Sequence, residues 1–167
     1  MAKRIVGIDP GVTKGAEGGL ALLVEGRIEA LRIMPTVTVK GGRQVLDEGE
    51  LARLYREWSP DLILIELPVA MPGQSPAATG SRFLGCGFLR GLAVGMGIRY
   101  DCVYSKTWQK VMHAGLPDGG DTKALSYLAC CRMWPGQEWR RSARSEKPHT
   151  GLCDAALIAA YASRKGL

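Results

Sequence analysis

The chain has 167 residues, of which 46% are hydrophobic and 23% are charged, and its formal net charge is +6. This composition excludes an intrinsically disordered chain, the lack of any run of about 18 apolar residues argues against a membrane span, and the length suits one domain, residues 1–167. The excess of Lys and Arg favours a polyanionic partner such as nucleic acid, because binding to phosphates releases counterions.

Short apolar runs that end at turn or charged residues predict five β-strands. In chain order these strands cover residues 5–9, 19–24, 27–34, 61–66 and 99–104. Hairpin-like turns join the first three strands, which predicts antiparallel pairing, whereas the helix between the third and fourth permits a parallel crossover. The sequence therefore predicts an α/β fold with a mixed sheet of five strands flanked by helices.

Five helices are predicted from their periodicity and from their start and stop signals. They cover residues 47–58, 81–96, 106–113, 122–132 and 151–163. Asp47 and Thr150 are predicted to cap the first and the last helix, because short polar side chains accept hydrogen bonds from the first free amides. The segments 67–80 and 135–148 are predicted loops.

Three carboxylates lie in apolar surroundings, where an unpaired charge is costly. Asp9 and Glu66 each end a buried strand, and Asp154 lies among apolar residues near the start of the last helix. Each also has a local alternative, since Asp9 suits an Asx turn, Glu66 an exposed strand end and Asp154 a helix dipole. Together they predict a divalent-metal site, and hard oxygen ligands select Mg²⁺ or Mn²⁺.

Such a site suits in-line cleavage of a phosphodiester bond. One of two metal ions helps to deprotonate water, and the other stabilises the leaving oxygen. In a basic protein this chemistry predicts a nuclease, provided that the three carboxylates converge in the fold.

Several short motifs follow one another along nearly the whole chain. They are Ile8-Asp9-Pro10-Gly11, Ile65-Glu66, Gly73-Gln74, Trp108-Gln109-Lys110, Thr122-Lys123 and Asp154-Ala155-Ala156-Leu157. In this order they resemble the RuvC-type Holliday junction resolvases of the RNase H-like superfamily, and most closely the phage-encoded branch. The resemblance implies an RNase H-like fold, a homodimer, Mg²⁺ bound by the three carboxylates, and paired nicks in two like-polarity strands of four-way junction DNA.

The chain departs from that family at the fourth metal ligand. Bacterial members carry an acid or His three residues before the final Asp, and this chain has Gly151 there. Phage-like members often carry His-Asp-Gly before that Asp, where this chain has His149-Thr150-Gly151. The resemblance therefore points to His149 as the auxiliary metal ligand or the residue that activates water, with a merely packing or phosphate-binding residue as the alternative. Glu146 is the second candidate.

The chain also departs from the family at an aromatic wedge that enters the junction. Bacterial members carry it three positions after the catalytic Glu, where this chain has Val69. Met71 and Phe83 are the candidates to replace it. The glycines at positions 85, 87, 91 and 95 predict either a dimer interface or tight packing of their helix on the sheet.

Candidate DNA-binding residues lie near the predicted site, near helix starts and in the last long loop, where basic side chains suit phosphate oxygens. They are Gln74, Lys106, Lys110, Lys123, Arg140, Arg141, Arg144 and Lys147. The last four are predicted to form a mobile basic arm, with a solvated surface as the alternative. Trp139 in that loop either stacks on DNA or packs in the core.

Two other functions stay open. One is a related RNase H-like nuclease that acts on RNA or branched DNA, and the other is a junction-binding protein that has lost catalysis. An actin-like ATPase is disfavoured because the chain is too short for two such domains. We expect the cytoplasm of a bacterial or phage-infected cell, since five Cys without a Cys-x-x-Cys pair suit a reducing compartment.

Overall fold

The structure is a computed structural model that describes residues 2–70, 72–117 and 119–167. Its strands are β1 (Arg4–Thr13), β2 (Ala16–Val24), β3 (Arg27–Ile33), β4 (Thr36–Thr38), β5 (Gln44–Leu46), β6 (Leu62–Leu67) and β7 (Tyr100–Tyr104). Its helices are α1 (Glu48–Trp58), α2 (Pro76–Gly95), α3 (Ser105–Met112), α4 (Thr122–Met133) and α5 (Thr150–Lys165). None of the described helices combines the length and the apolar composition that crossing a bilayer requires.

Five strands form one mixed sheet in the order β3-β2-β1-β6-β7. β1 pairs antiparallel with β2, and β2 with β3, whereas β6 runs parallel to both β1 and β7. The predicted five-stranded mixed sheet is therefore confirmed. β4 and β5 form a separate hairpin that the sequence did not predict, because strands of three residues are too short to show a period.

Both faces of the sheet are covered, which explains the unbroken apolar runs of its central strands. Ile5 of β1 points to a core layer shared with α3, α4 and α5. Val6 and Ile8 of the same strand point to the other layer, which contains α1 and α2. This alternation follows from the two-residue period of a strand.

Helix α5 lies directly on β1. A Cβ atom on Gly7 would lie 2.1 Å from the carbonyl oxygen of Ala155 and 2.4 Å from the amide nitrogen of Ala159. Only glycine permits this approach of two backbones. The contact sets the position of α5, and therefore of the side chains in its first turns, relative to the end of β1.

Two helix starts differ from the prediction. α2 begins at Pro76, inside the predicted loop 67–80, because Ser75 accepts a hydrogen bond from the amide of Ala78 at 3.2 Å and Pro is suited to a first helical position. The N-cap of α5 is His149 and not Thr150, since its ring accepts from the amide of Leu152.

Candidate active site

Two of the predicted carboxylates lie side by side where the parallel pairing of β1 with β6 ends. β1 itself continues to Thr13 in its pairing with β2, so Asp9 does not end the strand as the sequence predicted. β1 and β6 are parallel neighbours, and Ile8 pairs with Ile65, so Asp9 and Glu66 follow at equivalent positions. Both side chains point to the face of the sheet that α5 covers, because they continue the alternation of Ile5 and Leu62. Oδ1 of Asp9 also accepts a hydrogen bond from the amide of Gly11 at 3.2 Å, so the predicted local turn is present as well.

Asp154 reaches the same place from α5. Its neighbour Ala155 is the residue against which Gly7 packs, so the first turns of α5 lie over the end of β1. The side chain is half-buried, and its Oδ1 has no hydrogen-bond partner among the described residues. The fold therefore brings together three carboxylates that are far apart along the chain.

The three carboxylates act on one another electrostatically. Burial raises the pKa of Asp9 to about 6. Burial, together with the nearby charge of Asp9, raises the pKa of Glu66 and of Asp154 to about 7 each. A cluster of acids whose pKa values are raised by burial and like charge is typical of a site that binds a cation.

The chemistry of these donors fits a divalent cation, but their geometry is not that of a finished metal site. Carboxylate oxygens are the ligands that Mg²⁺ prefers, and the unpartnered oxygen of Asp154 is free to coordinate. Within the described parts of the chain, however, no three His, Cys, Asp or Glu side chains are grouped so that they could hold a metal ion. The carboxylates face one another without forming a ready-made coordination shell.

Side chains of α3 and α4 lie beside two of the carboxylates. Nε1 of Trp108 in α3 donates a hydrogen bond to Oε2 of Glu66 at 2.6 Å. The Ser126 hydroxyl of α4 lies 3.1 Å from Nε2 of His113. The same hydroxyl is close enough to Asp154 to oppose the rise in the pKa of that carboxyl. The Trp108 and His113 rings meet edge to face at 5.7 Å. Sequence reasoning found Trp108 only as part of a motif and missed Ser126 and His113.

Arg82 of α2 is a further residue that sequence reasoning missed. It lines a small cavity together with Asp9 and Glu66, and its charge opposes the rise in the pKa of both. Its guanidinium donates to Oε1 of Gln74 at 3.1 Å and to the carbonyl of Val69 at 3.4 Å. The predicted DNA-binding residue Gln74 is therefore a neighbour of the site through Arg82.

The predicted auxiliary residue His149 has a structural partner of its own. Its Nδ1 accepts a hydrogen bond from the amide of Leu152 at 3.3 Å, and burial lowers the pKa of the imidazole. A neutral ring that accepts at Nδ1 carries its proton on Nε2. The nearby charges that act on His149 are those of Arg141 and Glu17, and not those of the three carboxylates.

Position 151 cannot carry the ligand that bacterial members place there. A Cβ atom on Gly151 would lie 2.4 Å from the carbonyl oxygen of Glu17 and 2.6 Å from Cα of Gly18. Because both contacts are to the backbone of β2, any side chain would displace α5 from the sheet. Glu146, the second candidate for the auxiliary role, is an exposed loop residue.

The predicted basic residues divide into two groups. Lys123, at the start of α4, lies near the carboxylates, since its charge opposes the rise in the pKa of Asp9 and of Asp154. The remaining predicted cations are exposed on α3 or in the last long loop, and they are Lys106, Lys110, Arg140, Arg141, Arg144 and Lys147. Among the predicted cations, Lys123 is therefore the one whose charge acts on the candidate carboxylates.

Arginines of the last long loop form ion pairs within the loop and with β2. Arg140 forms a forked ion pair with Glu138 at 2.6 and 2.9 Å, and Arg141 contacts Oε2 of Glu17 in β2 at 2.5 Å. Trp139 is 2% exposed and packs in the core, so it offers no stacking surface for DNA. Phe83 is exposed on α2, whereas Met71, the other wedge candidate, lies outside the described residues.

Comparison with solved structures establishes the fold. T. thermophilus RuvC in complex with a Holliday junction substrate matches with a TM-score of 0.63 at 13% identity, over 98% of this chain and 96% of that one. A further Thermus thermophilus RuvC structure has a TM-score of 0.59 at 17% identity, over 98% and 96%. The yeast mitochondrial Holliday junction resolvase Ydc2 has a TM-score of 0.53 at 12% identity, over 95% and 77%.

The resemblance to RuvC-type resolvases is thus confirmed at the level of the RNase H-like fold. The sequence matches no protein-family model and no curated protein at a significant level. The phage-encoded branch stays a prediction.

Proposed function

We propose that the chain is a metal-dependent endonuclease that resolves four-way DNA junctions by paired nicks. The observation that carries this proposal is the group of three half-buried carboxylates, each with a raised pKa, that β1, β6 and α5 bring together in a RuvC-like fold. The net charge of +6 is consistent with a nucleic-acid substrate.

Asp9, Glu66 and Asp154 are the residues that would hold Mg²⁺, with Mn²⁺ as a substitute. Bound ions of this kind supply a deprotonated water and stabilise the leaving oxygen. A bound cation would offset the burial of the three carboxylates and the charge of Asp9 that together raise their pKa values. A metal role for His149 needs an Nε2 without its proton, which the hydrogen bond at Nδ1 opposes, so we test that role separately.

The chain's own residues would position the carboxylates and the substrate. Trp108 holds one oxygen of Glu66 through its hydrogen bond, and the Ser126 hydroxyl lies near enough to Asp154 to oppose the rise in its pKa. Arg82 and Lys123 lie near enough to the carboxylates to influence their pKa values, and both would bind the phosphate that is cleaved. Mutation of supporting residues of this type typically lowers metal affinity or activity by about 10- to 100-fold.

We further propose a homodimer that uses the outer face of α2, because one site of this kind cuts one strand. Leu84 and Val94 on this face are 76% and 63% exposed. Cβ atoms on Gly87 and Gly91, between them, would meet nothing within 4 Å among the described residues, so packing on the sheet does not explain these glycines. Gly85 is different, since its Cβ would lie 3.4 Å from the Leu46 side chain.

The endonuclease proposal is tested with labelled four-way, flap and linear DNA and with RNA, each in Mg²⁺ and in EDTA. We expect symmetric nicks in the four-way junction alone, and only with Mg²⁺. Asp154→Asn should lower the rate at least about 100-fold, a loss of about 2.7 kcal/mol, while junction binding persists. Preferred cleavage of flaps or RNA would instead assign a related nuclease, and retention without cleavage would assign a junction-binding protein.

A further inference from the structure

A second cleft lies beside the candidate active site and shares Arg82 with it. It is enclosed by the β4–β5 hairpin, the turn between β1 and β2, and the first turns of α2, and its volume is about 460 Å³. We name it the hairpin cleft. Its charged and polar lining includes Lys14, Arg43, Arg82, Gln44, Gln74 and Ser81.

The hairpin cleft has a uniform sign of charge. Its lining includes three cations and no acidic side chain. Lys14 and Arg43 are exposed, and neither forms an ion pair with another residue of the described chain. By contrast, Arg140 and Arg141 of the predicted basic arm are both paired with glutamates. The cleft therefore offers cations whose charge is not already compensated.

Arg82 joins the hairpin cleft to the candidate active site. It lines this cleft and also the small cavity that contains Asp9 and Glu66. A chain of phosphates that passed Arg82 would have one phosphate beside the carboxylates and the next ones beside Lys14 and Arg43. Two small apolar residues of α2, Ala77 and Ala78, also line the cleft.

We propose that the hairpin cleft binds the phosphate backbone of the DNA strand that leads into the active site, with Lys14 and Arg43 as phosphate contacts. This inference rests on the proposed function and deepens it by assigning a path to the cleaved strand. Hydrogen bonds and ion pairs to phosphates position a nucleic acid without reading its sequence. The cleft should therefore contribute to affinity and register, and not to the choice of bases.

The test is the double variant Lys14→Gln/Arg43→Gln, compared with Arg27→Gln/Arg56→Gln. The control pair removes the same net charge at two exposed positions that do not line the cleft. Dissociation constants for a four-way junction are measured in EDTA between 50 and about 200 mM NaCl, a range over which such contacts are sensitive. Cleavage at saturating junction is measured in Mg²⁺, and thermal melting checks that all variants fold.

The cleft variant should lose about 2 in the slope of log Kd against log salt, since each phosphate contact contributes about 0.9. Its affinity should fall at least about tenfold at low salt, with kcat within about twofold of the wild type, while the control pair keeps the wild-type slope. A folded cleft variant with an unchanged slope overturns the inference even if the wild type cleaves junctions. If the wild type binds junctions through this cleft but never cleaves them, the endonuclease proposal fails and the cleft stands.

Discussion

Glycines on the two faces of the sheet differ in what surrounds them. On the face covered by α5, a Cβ atom on Gly7 or Gly151 would lie 2.1 to 2.4 Å from backbone oxygens of another element. On the opposite face, Cβ atoms on Gly87 and Gly91 of α2 would meet nothing within 4 Å among the described residues. Gly7 and Gly151 set the distance between α5 and the sheet. Gly87 and Gly91 leave the outer face of α2 without protruding side chains at their positions.

In our proposal, glycine therefore supports the candidate active site on one face of the sheet and assembly of the dimer on the other. Asp154 depends on the α5 contact, because its carboxylate meets those of β1 and β6 only if the helix lies close to the sheet. Substitutions on the α5 side should therefore affect stability and activity together, and those on α2 should separate the two.

The largest effect is expected for Gly7→Ala. Its Cβ cannot be accommodated without moving α5, and overpacking of this kind typically costs about 1–3 kcal/mol, occasionally more. We expect the free energy of unfolding to fall by the upper part of that range, and the cleavage rate to fall because Asp154 moves with α5. Urea denaturation and a junction-cleavage assay measure both. A variant as stable and as active as the wild type would refute the role given to this contact.

The next effect is expected for Trp108→Phe, which keeps an aromatic ring but removes the hydrogen bond to Glu66. Affinity for Mg²⁺, measured by calorimetry as well as by the metal dependence of cleavage, should fall about 10- to 100-fold. Trp139→Phe is the matched control, because Trp139 is equally buried and its Nε1 has no hydrogen-bond partner among the described residues. Equal losses of metal affinity in the two variants would show that only packing was disturbed.

The raised pKa values predict how metal-free stability depends on pH. Asp9, Glu66 and Asp154 have folded pKa values of about 6, 7 and 7, above their ordinary values of 3.8, 4.5 and 3.8. Their contribution to stability is complete below about pH 4 and is lost as pH rises to about 7, because ionising them is harder in the folded state.

In EDTA the melting temperature should therefore fall between pH 5 and pH 8. Each pKa unit of difference between the folded and unfolded states corresponds to about 1.4 kcal/mol of unfolding free energy. A net loss of that size lowers the melting temperature by about 3–5 °C for a chain of this length. Mg²⁺ should raise the melting temperature more at pH 8 than at pH 5, because ionised carboxylates bind it better. If the melting curves in EDTA and Mg²⁺ coincide at both pH values, the three carboxylates do not form a cation site.

A smaller effect is expected at the N-cap of α5. His149→Ala should cost about 1 kcal/mol of unfolding free energy, and His149→Asn should restore it, because Asn is a good N-cap residue. The Asn variant also removes the imidazole, so it separates capping from the predicted metal role. A raised Mg²⁺ requirement for cleavage by a stable His149→Asn variant would support that role, whereas the wild-type requirement would end it.

Sequence reasoning reached the sheet and the three carboxylates because both leave a local signal. The central strands are buried on both faces, so they are unbroken apolar runs, and an acid at the end of such a run stands out. Arg82 leaves no such signal, since its place beside Asp9 and Glu66 depends on how α2 packs across the sheet. The pairing of Glu17 with Arg141, 124 residues away, is likewise a product of the tertiary fold.

The smallest effect is expected for Gly91→Ala, on the exposed face of α2. A Cβ there meets open space, so the monomer should gain about 0.5–1 kcal/mol from the higher helix propensity of Ala. In a dimer built on this face, the added methyl group would separate the two helices, so sedimentation should show weaker self-association. Gly49→Ala in α1 is the control, because it makes the same change at an exposed helical position outside the proposed α2 interface. If Gly91→Ala stabilises the monomer but leaves self-association unchanged, this face of α2 is not the dimer interface, because the added methyl group would then contact no partner helix.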